Sequence, residues 1–555
     1  MIGLKVDSIM KKINRYLLVG IIIGLLGWFG CGGEVAKPEN INTVEKINTE
    51  SPVSESTPVF RRFWSDPPTL DPHLTSDTTS AGIVVEVFSG LVSLNTDLQI
   101  IPDVAESWTI ENGTIYTFTI RDNAKFHNGN KITSQDFKWS IERAADPATA
   151  SPVADVYLND IVGAMDLIDG KTDEISGIKV IDDRTLQITV DAPKPYFLAK
   201  LTYPTAFVLD KETVESGGRD WWIDNPVGSG PFKLDEYKIG ERIVLVKNDD
   251  YYREPAKISK VYNHLAGGQG MAMYENDEID VVGVSMFDLD RVLDPEEPLN
   301  KDLRAVPPSF QIGYIGFNGA IAPFDDPKFR QALNHAVDKE LIAKEVMSGL
   351  IKPAYSILPK GFPGHSPDVV GLNYNPELAQ KLMSESQYSD VATRPRITIS
   401  VPGTGGTIGL DLEVIIEMWK QVLGVEVDIQ QVEWATYLDE LDKQSFQAYA
   451  GLGWSADYPD PQDFLDILFH SESSMNHGAY ANKEVDALLE RARIEPDVIN
   501  RMSLYNKAEQ LILDDAAWLP LWFTGDSYIL VKPHVKGFEM TPMIIPKLHL
   551  INLDS

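Results

Sequence analysis

The densest cluster of acidic side chains in the 555-residue sequence is Asp457, Asp460, Asp463 and Asp466, in the stretch GLGWSADYPDPQDFLD. Carboxylates this close could hold a metal ion, cap helices or meet a cationic ligand. A calcium loop of the EF-hand type places acids at alternate positions and follows them with glycine. Here the spacing is three, and Pro459 and Pro461 intervene, so no metal site and no cofactor is expected. Asp460, Asp463 and Asp466 read as solvent-facing. Asp457 differs, because Trp454 and Tyr458 flank it behind the apolar run Gly451-Leu452-Gly453. A carboxylate framed by aromatic rings suits a cationic ligand group through charge pairing and stacking. The competing assignment is a cap or turn aspartate.

Other chemistries lack their residues. Gly170-Lys171-Thr172 would need a glycine at 165 to form a phosphate loop, and Met165 is there. Neither a Gly-x-Ser-x-Gly elbow nor a His-Glu-x-x-His pair occurs. The nine histidines are scattered singly, the closest two being His470 and His477, and a single cysteine rules out thiolate clusters. A hydrolase therefore has no constellation to support it. The formal charge of −33 repels nucleic acid and anionic headgroups, so neither is an expected partner.

The one cysteine marks the front of the chain. Lys11, Lys12 and Arg15 precede the apolar run Leu17–Phe29, then Gly30 and Cys31. A basic region followed by a short apolar core describes a secretory signal peptide over residues 1–30. Cys31 sits where bacterial lipoproteins carry their lipid, although Trp28 and Phe29 depart from the usual branched aliphatic and small residues. The alternative is an incidental cysteine. Residues 31–58 are polar and without aromatics, and read as a lipidated cysteine with a flexible linker.

From Val59 onward the composition is globular. With 43% hydrophobic residues over this length, two or three domains are expected. Tyr116, Phe118 and Ile120 alternate with polar neighbours, as do Leu186, Ile188 and Val190, which predicts strands. Ile243–Val246 gives another. Asp326-Pro327 opens a helix carrying Phe329, Leu333, Ala336 and Val337 on one face. A second helix is predicted from Lys339 to Met347, stopped by Gly349. Ile397–Val401, a helix through Val414, Ile415, Met418 and Val422, and Val425–Ile429 form a β-α-β unit with parallel strands. The fold class is mixed α/β.

These elements carry a set of short motifs in a fixed order. They are Pro68-Thr-Leu-Asp-Pro-His73, Val87-Phe-Ser-Gly-Leu91, Ala105-Glu-Ser-Trp108 and Tyr116–Arg121. Lys125-Phe-His-Asn-Gly129, Gly228-Ser-Gly-Pro-Phe232, Pro323–Pro327 with Arg330–Leu333, and Gly451–Leu465 follow. In this order and spacing the chain strongly resembles the family 5 solute-binding proteins of ABC importers, the oligopeptide and dipeptide receptors, over nearly all of residues 59–555. The resemblance implies a two-lobed periplasmic-binding-protein fold of type II-like architecture, with an extra third domain and a hinge that closes over ligand. Its lobes fall at about 59–90, 200–310 and 515–555 for the first, and 311–514 for the second, with the extra domain at about 91–199.

In peptide-binding members the aspartate matching Asp457 pairs with the ligand's α-ammonium. The adjoining backbone, here Gly453, Trp454 and Ser455, pairs with the extended peptide, and Tyr458 completes the candidate site. His127 reads as structural. The implied function is an extracytoplasmic lipoprotein at the outer face of the membrane or in the periplasm. It would be monomeric and non-enzymatic, and would hand peptides to an ABC permease and its ATPase subunits. Nickel chelates, haem, glutathione or oligosaccharides are the alternative ligands within the fold.

Overall fold

The computed structural model describes residues 58–554 apart from 225, 544 and 546. The leader, Cys31 and the linker therefore lie outside the described residues. Among the described residues no helix is long and apolar enough to cross a membrane.

Three sheets organise the chain. The first has seven strands in the order Leu303–Val306, Ser527–Val531, Val281–Gly283, Val59–Phe63, Lys260–His264, Arg242–Lys247 and Phe232–Lys238. Val59–Phe63 runs parallel to Lys260–His264, and Arg242–Lys247 closes against the latter antiparallel. Phe60, Ile243 and Leu245 are fully buried on this sheet against the helix Thr78–Val87. The apolar run Ile243–Val246 thus lies in a strand, as its residues dictate.

The second sheet is built around Gln311–Phe317, with Trp518–Thr524 and Ile351–Pro353 on one side. Ala448–Tyr449, Ile397–Pro402 and Val427–Val432 lie on the other. Ile397–Pro402 and Val427–Val432 are parallel in strict register, joined through the helix Leu410–Leu423. Gly424 ends that helix at φ +63°, a conformation that costs glycine little. The β-α-β unit is present as the periodicity requires. Asp326 caps the helix Pro327–His335 by accepting from the Lys328 N–H at 2.9 Å, and Phe329, Leu333, Ala336 and Val337 are all buried. The segment predicted from Lys339 starts as α-helix, widens to π spacing over Ile342–Val346, and ends at Gly349 with φ +77°.

A third sheet of four antiparallel strands, Ala105–Glu111, Ile115–Ile120, Thr185–Thr189 and Ile178–Asp182, packs on the helix Ser134–Ala145. Tyr116 faces Ile188 and Phe118 faces Leu186 across it, all buried, so both predicted alternations feed one core.

The polypeptide passes between the first and second sheets twice, through residues 307–310 and through Gly525-Asp526. Trp518–Thr524 belongs to the second sheet, so the return passage lies ten residues beyond the boundary expected at 515. A Ser309–Thr524 hydroxyl contact links the two passages. The family motifs meet at the joint between the first and third sheets. Gly228 O accepts from the His127 N–H at 2.8 Å, while the Ser229 and Gly230 N–H groups donate to Val87 O. A Cβ on Gly228 would stand 2.0 Å from Val87 O, which explains the glycine. His127 is tied to Gly230 O through Nε2 at 3.1 Å, and burial lowers its pKa to about 4. It is a structural residue.

Candidate functional site

The strand Gly453–Ser455 pairs antiparallel with Gln311–Gly313. Just beyond it, Ala456 donates its N–H to Phe310 O at 2.8 Å. Antiparallel pairing alternates inward and outward groups, so Trp454 is the inward residue. The N–H and C=O groups of Gly453 and Ser455 then point away from Gln311–Gly313, and no other strand covers that edge among the described residues. A side chain at Gly453 would meet Ile312 O at 2.6 Å, so glycine permits the close pairing.

Asp457 follows the strand and is half-buried on the wall of a cleft. The opposite wall comes from the first-sheet side of the molecule: Ala81 and Val85 of the helix Thr78–Val87, its capping residue Phe88, and Phe207. The Asp457 carboxylate accepts from the Tyr157 hydroxyl, 300 residues away. Tyr157 lies flat on Tyr203, with ring centroids 3.7 Å apart and planes at 5°, and the Tyr203 hydroxyl donates to Thr75 O at 3.1 Å. Among the described residues no cation pairs with Asp457. Burial pushes its pKa up to about 7, partly offset by the Tyr157 hydroxyl. Its own N–H donates to Asp463 at 3.0 Å. Asp463 is fully buried, has one oxygen without a partner, and is held well above the carboxylate range by burial and then by the charge of Asp457.

The remaining aspartates correct the sequence reading. Asp463 and Asp466 are buried, and Asp460 is only 15% exposed, so none of the three is solvent-facing. Arg501 grips Asp460 with two bonds of 2.8 and 2.7 Å, and Arg493 grips Asp466 with two of 2.7 Å. Of the flanking aromatics, Trp454 is partly buried with its indole N–H 3.5 Å from Asp463. Tyr458 is fully buried, donates to Gln462, and meets Tyr157 edge-on at 6.4 Å. The rings that face the Asp457 carboxylate are Tyr157 and Tyr203. Nothing local in the sequence pointed to either, because both lie more than 250 residues before Asp457.

Two sheet-centred lobes joined by two chain passages, with a carboxylate set in the cleft between them, define a solute-binding protein. Residues 99–476 match the profile of bacterial extracellular solute-binding proteins, family 5, and the chain belongs to that family. It is 31% identical to the periplasmic oligopeptide-binding protein OppA of Escherichia coli over 499 residues, covering 88% of this chain and 90% of that one. It is 32% identical to the probable deoxycholate-binding periplasmic protein YgiS of the same organism, covering 87% and 91%. In three dimensions it matches the E. coli murein tripeptide binding protein MppA with a TM-score of 0.82 at 28% identity, covering 90% of this chain and 99% of that one. Against the unliganded open form of MppA the TM-score is 0.63, with 90% and 98% covered.

Proposed function

We propose that the protein captures peptides between its two lobes and hands them to an ABC permease and its ATPase subunits. The observation that carries this reading is Asp457, a cleft-wall carboxylate whose side-chain hydrogen-bonding partner is a tyrosine, whose pKa is raised by burial, and which no cation among the described residues neutralises. A peptide's α-ammonium supplies that cation. The outward N–H and C=O groups of Gly453 and Ser455 offer main-chain pairing to an extended ligand, which gives affinity without reading its sequence. Trp454 and Tyr458 serve behind the site, one beside Asp463 and the other buttressing Tyr157. The similarity to the oligopeptide-binding protein OppA supports the same assignment.

The lobes divide at about residues 310 and 525, with the extra domain near 91–199, and they close about the two chain passages. The protein acts as a monomer without enzymatic activity. Cys31, behind its basic and apolar leader, is lipidated and holds the body at the outer face of the cytoplasmic membrane or in the periplasm. A diacylglyceryl group supplies the two chains that stable anchoring requires.

A second reading is favoured by the cleft wall, where Val85, Phe88, Phe207 and Met543 suit an apolar acid of the kind named for YgiS. Native mass spectrometry of the chain purified without denaturation, followed by thermal shifts with a mixed peptide library, separates the two. Co-purified peptides, or a peptide-induced shift that Asp457→Ala abolishes, bear out the peptide receptor. A shift with deoxycholate and none with any peptide overturns it.

A further inference from the structure

The chain that carries Asp457 has two neighbours in the second sheet and then loses one. Ala448 and Tyr449 lie parallel beside Ile399 and Ser400, and the Ala450 N–H still donates to Ser400 O at 3.0 Å. At Gly451, with φ +78°, the chain turns away. Pairing with Gln311–Phe317 resumes over Gly453–Ser455, but Ile397–Pro402 is no longer alongside. The outward edge of Gly453–Ser455 therefore gives onto a cavity at the fork, lined by Gly451, the strand end Val401-Pro402 and the Gly-rich loop 403–409. The cavity lies at the carboxyl ends of the parallel strands Ile397–Pro402 and Val427–Val432, where open α/β sheets place ligands.

The glycines of the loop invite an anion, yet the loop's donors are spent. The Gly403 N–H donates to Val432 O at 2.8 Å and the Gly405 N–H to Gln431 Oε1 at 2.6 Å, while Gln431 Nε2 donates to Gly406 O at 2.6 Å. The one charged group on the cavity wall is the carboxylate of Asp411, from the helix Leu410–Leu423. Its Oδ2 accepts from the Trp522 indole N–H at 2.9 Å. A Cβ on Gly409 would stand 2.6 Å from Oδ1, so glycine there keeps a side chain off the second oxygen. Among the described residues no cation pairs with Asp411 and none lines the cavity. A carboxylate in the first turn also complements the helix dipole, a role that needs no cavity.

We infer that Asp411 makes the protein select peptides carrying a lysine or arginine side chain near their third to fifth residue. This rests on the proposed capture of the peptide α-ammonium at Asp457. From Asp457 back to Gly451 is six residues, at most ~20 Å at about 3.3 Å each. An extended peptide running that way spends its first residues along Gly453–Ser455 and brings a later side chain to the fork. The cleft then offers two carboxylates that the fold leaves without a cation, and a basic peptide supplies both charges.

The test is titration calorimetry on the full chain with alanine pentapeptides carrying lysine, Nε-acetyl-lysine or glutamate at the third, fourth or fifth position. A chain of charge −33 attracts any cationic peptide, so only a preference that depends on position counts. Lysine is expected to bind at least about fivefold more tightly than acetyl-lysine at one of these positions, between the effects of an exposed and a desolvated charge pair. Glutamate there should bind more weakly than either. Asp411→Asn, which keeps an acceptor for Trp522, and Asp411→Ser should each abolish the preference, and Asp411→Glu should retain part of it. If the peptides bind but lysine and acetyl-lysine are equal at every position, the inference is overturned while the peptide reading survives. A lysine preference that is the same at all three positions, or that persists in Asp411→Asn and Asp411→Ser, overturns it as well. The wild-type series needs no variant, so a misfolded variant cannot hide the first of these outcomes. If none of the peptides binds, the inference falls together with the peptide reading.

Discussion

Asp457 and the pair Asp460 and Asp466 lie within ten residues of one another yet meet opposite fates. Asp460 and Asp466 are clamped by Arg501 and Arg493 from the helices Lys483–Ile494 and Val498–Asp514. Their charges are neutralised inside the fold. Asp457 receives a tyrosine and, among the described residues, no cation. A carboxylate supplied with its counter-charge is part of the architecture; one left without it keeps a standing demand that a ligand can meet. Breaking a buried pair by removing one partner strands the other charge, whereas neutralising an unpaired carboxylate relieves a strain already present.

The largest effect is expected from Arg501→Ala. It should lower the unfolding free energy by about 3–5 kcal/mol in urea titrations, because Asp460 loses both of its guanidinium bonds. Peptide affinity should change little. If Arg501→Ala left stability unchanged, the contrast between the two kinds of aspartate would fail.

Asp457→Asn should do the reverse. Peptide affinity should fall at least about tenfold, corresponding to the ~2–5 kcal/mol lost when one partner of a desolvated charge pair is removed. At about pH 8 the ligand-free protein should be no less stable than wild type, since asparagine carries no charge to desolvate. Calorimetry and thermal melts of the same preparation test both halves.

A smaller effect is expected from pH. The Asp457 carboxyl has a pKa of about 7 without ligand, and an ammonium beside it stabilises the ionised form. Binding is therefore linked to loss of a proton, and affinity falls as pH drops below about 7. Roughly eightfold weaker binding is expected at about pH 6 than at about pH 7.5. In Asp457→Asn the profile over this window should be flat, and an unchanged slope would assign the proton to another group.

The smallest expected change concerns stability. Glu86 and Glu509 are buried with pKa values raised to about 7. A carboxyl raised in the folded state binds a proton there that the unfolded chain has released, so stability falls as pH rises from about 4.5 to 7. Glu509→Gln keeps an acceptor for the Ile357 and Leu358 N–H groups. It should flatten that decline in melts across this range.

The comparison also shows where sequence reading stops. The helix start at Asp326-Pro327, the β-α-β unit at Ile397–Ile429 and the alternation at Tyr116–Ile120 were legible because each is decided within a few residues. Asp457 stood out for the same reason, by its aromatic neighbours. The solvent-facing assignment of Asp460 and Asp466 failed because their arginines arrive 41 and 27 residues later, on helices whose packing no local pattern encodes. Tyr157 and Tyr203 reach Asp457 only after separate stretches of chain are folded together.

The paired passages at residues 307–310 and Gly525-Asp526 have a mechanical consequence. A single connection would let the two halves swivel as well as tilt. Two strands of chain lying side by side, tied by Ser309 and Thr524, suppress the swivel and leave one coordinate. Under the proposed closure, whatever occupies the cleft would be reported on the outer surfaces as a single angle, which a partner gripping both halves could read without touching the ligand.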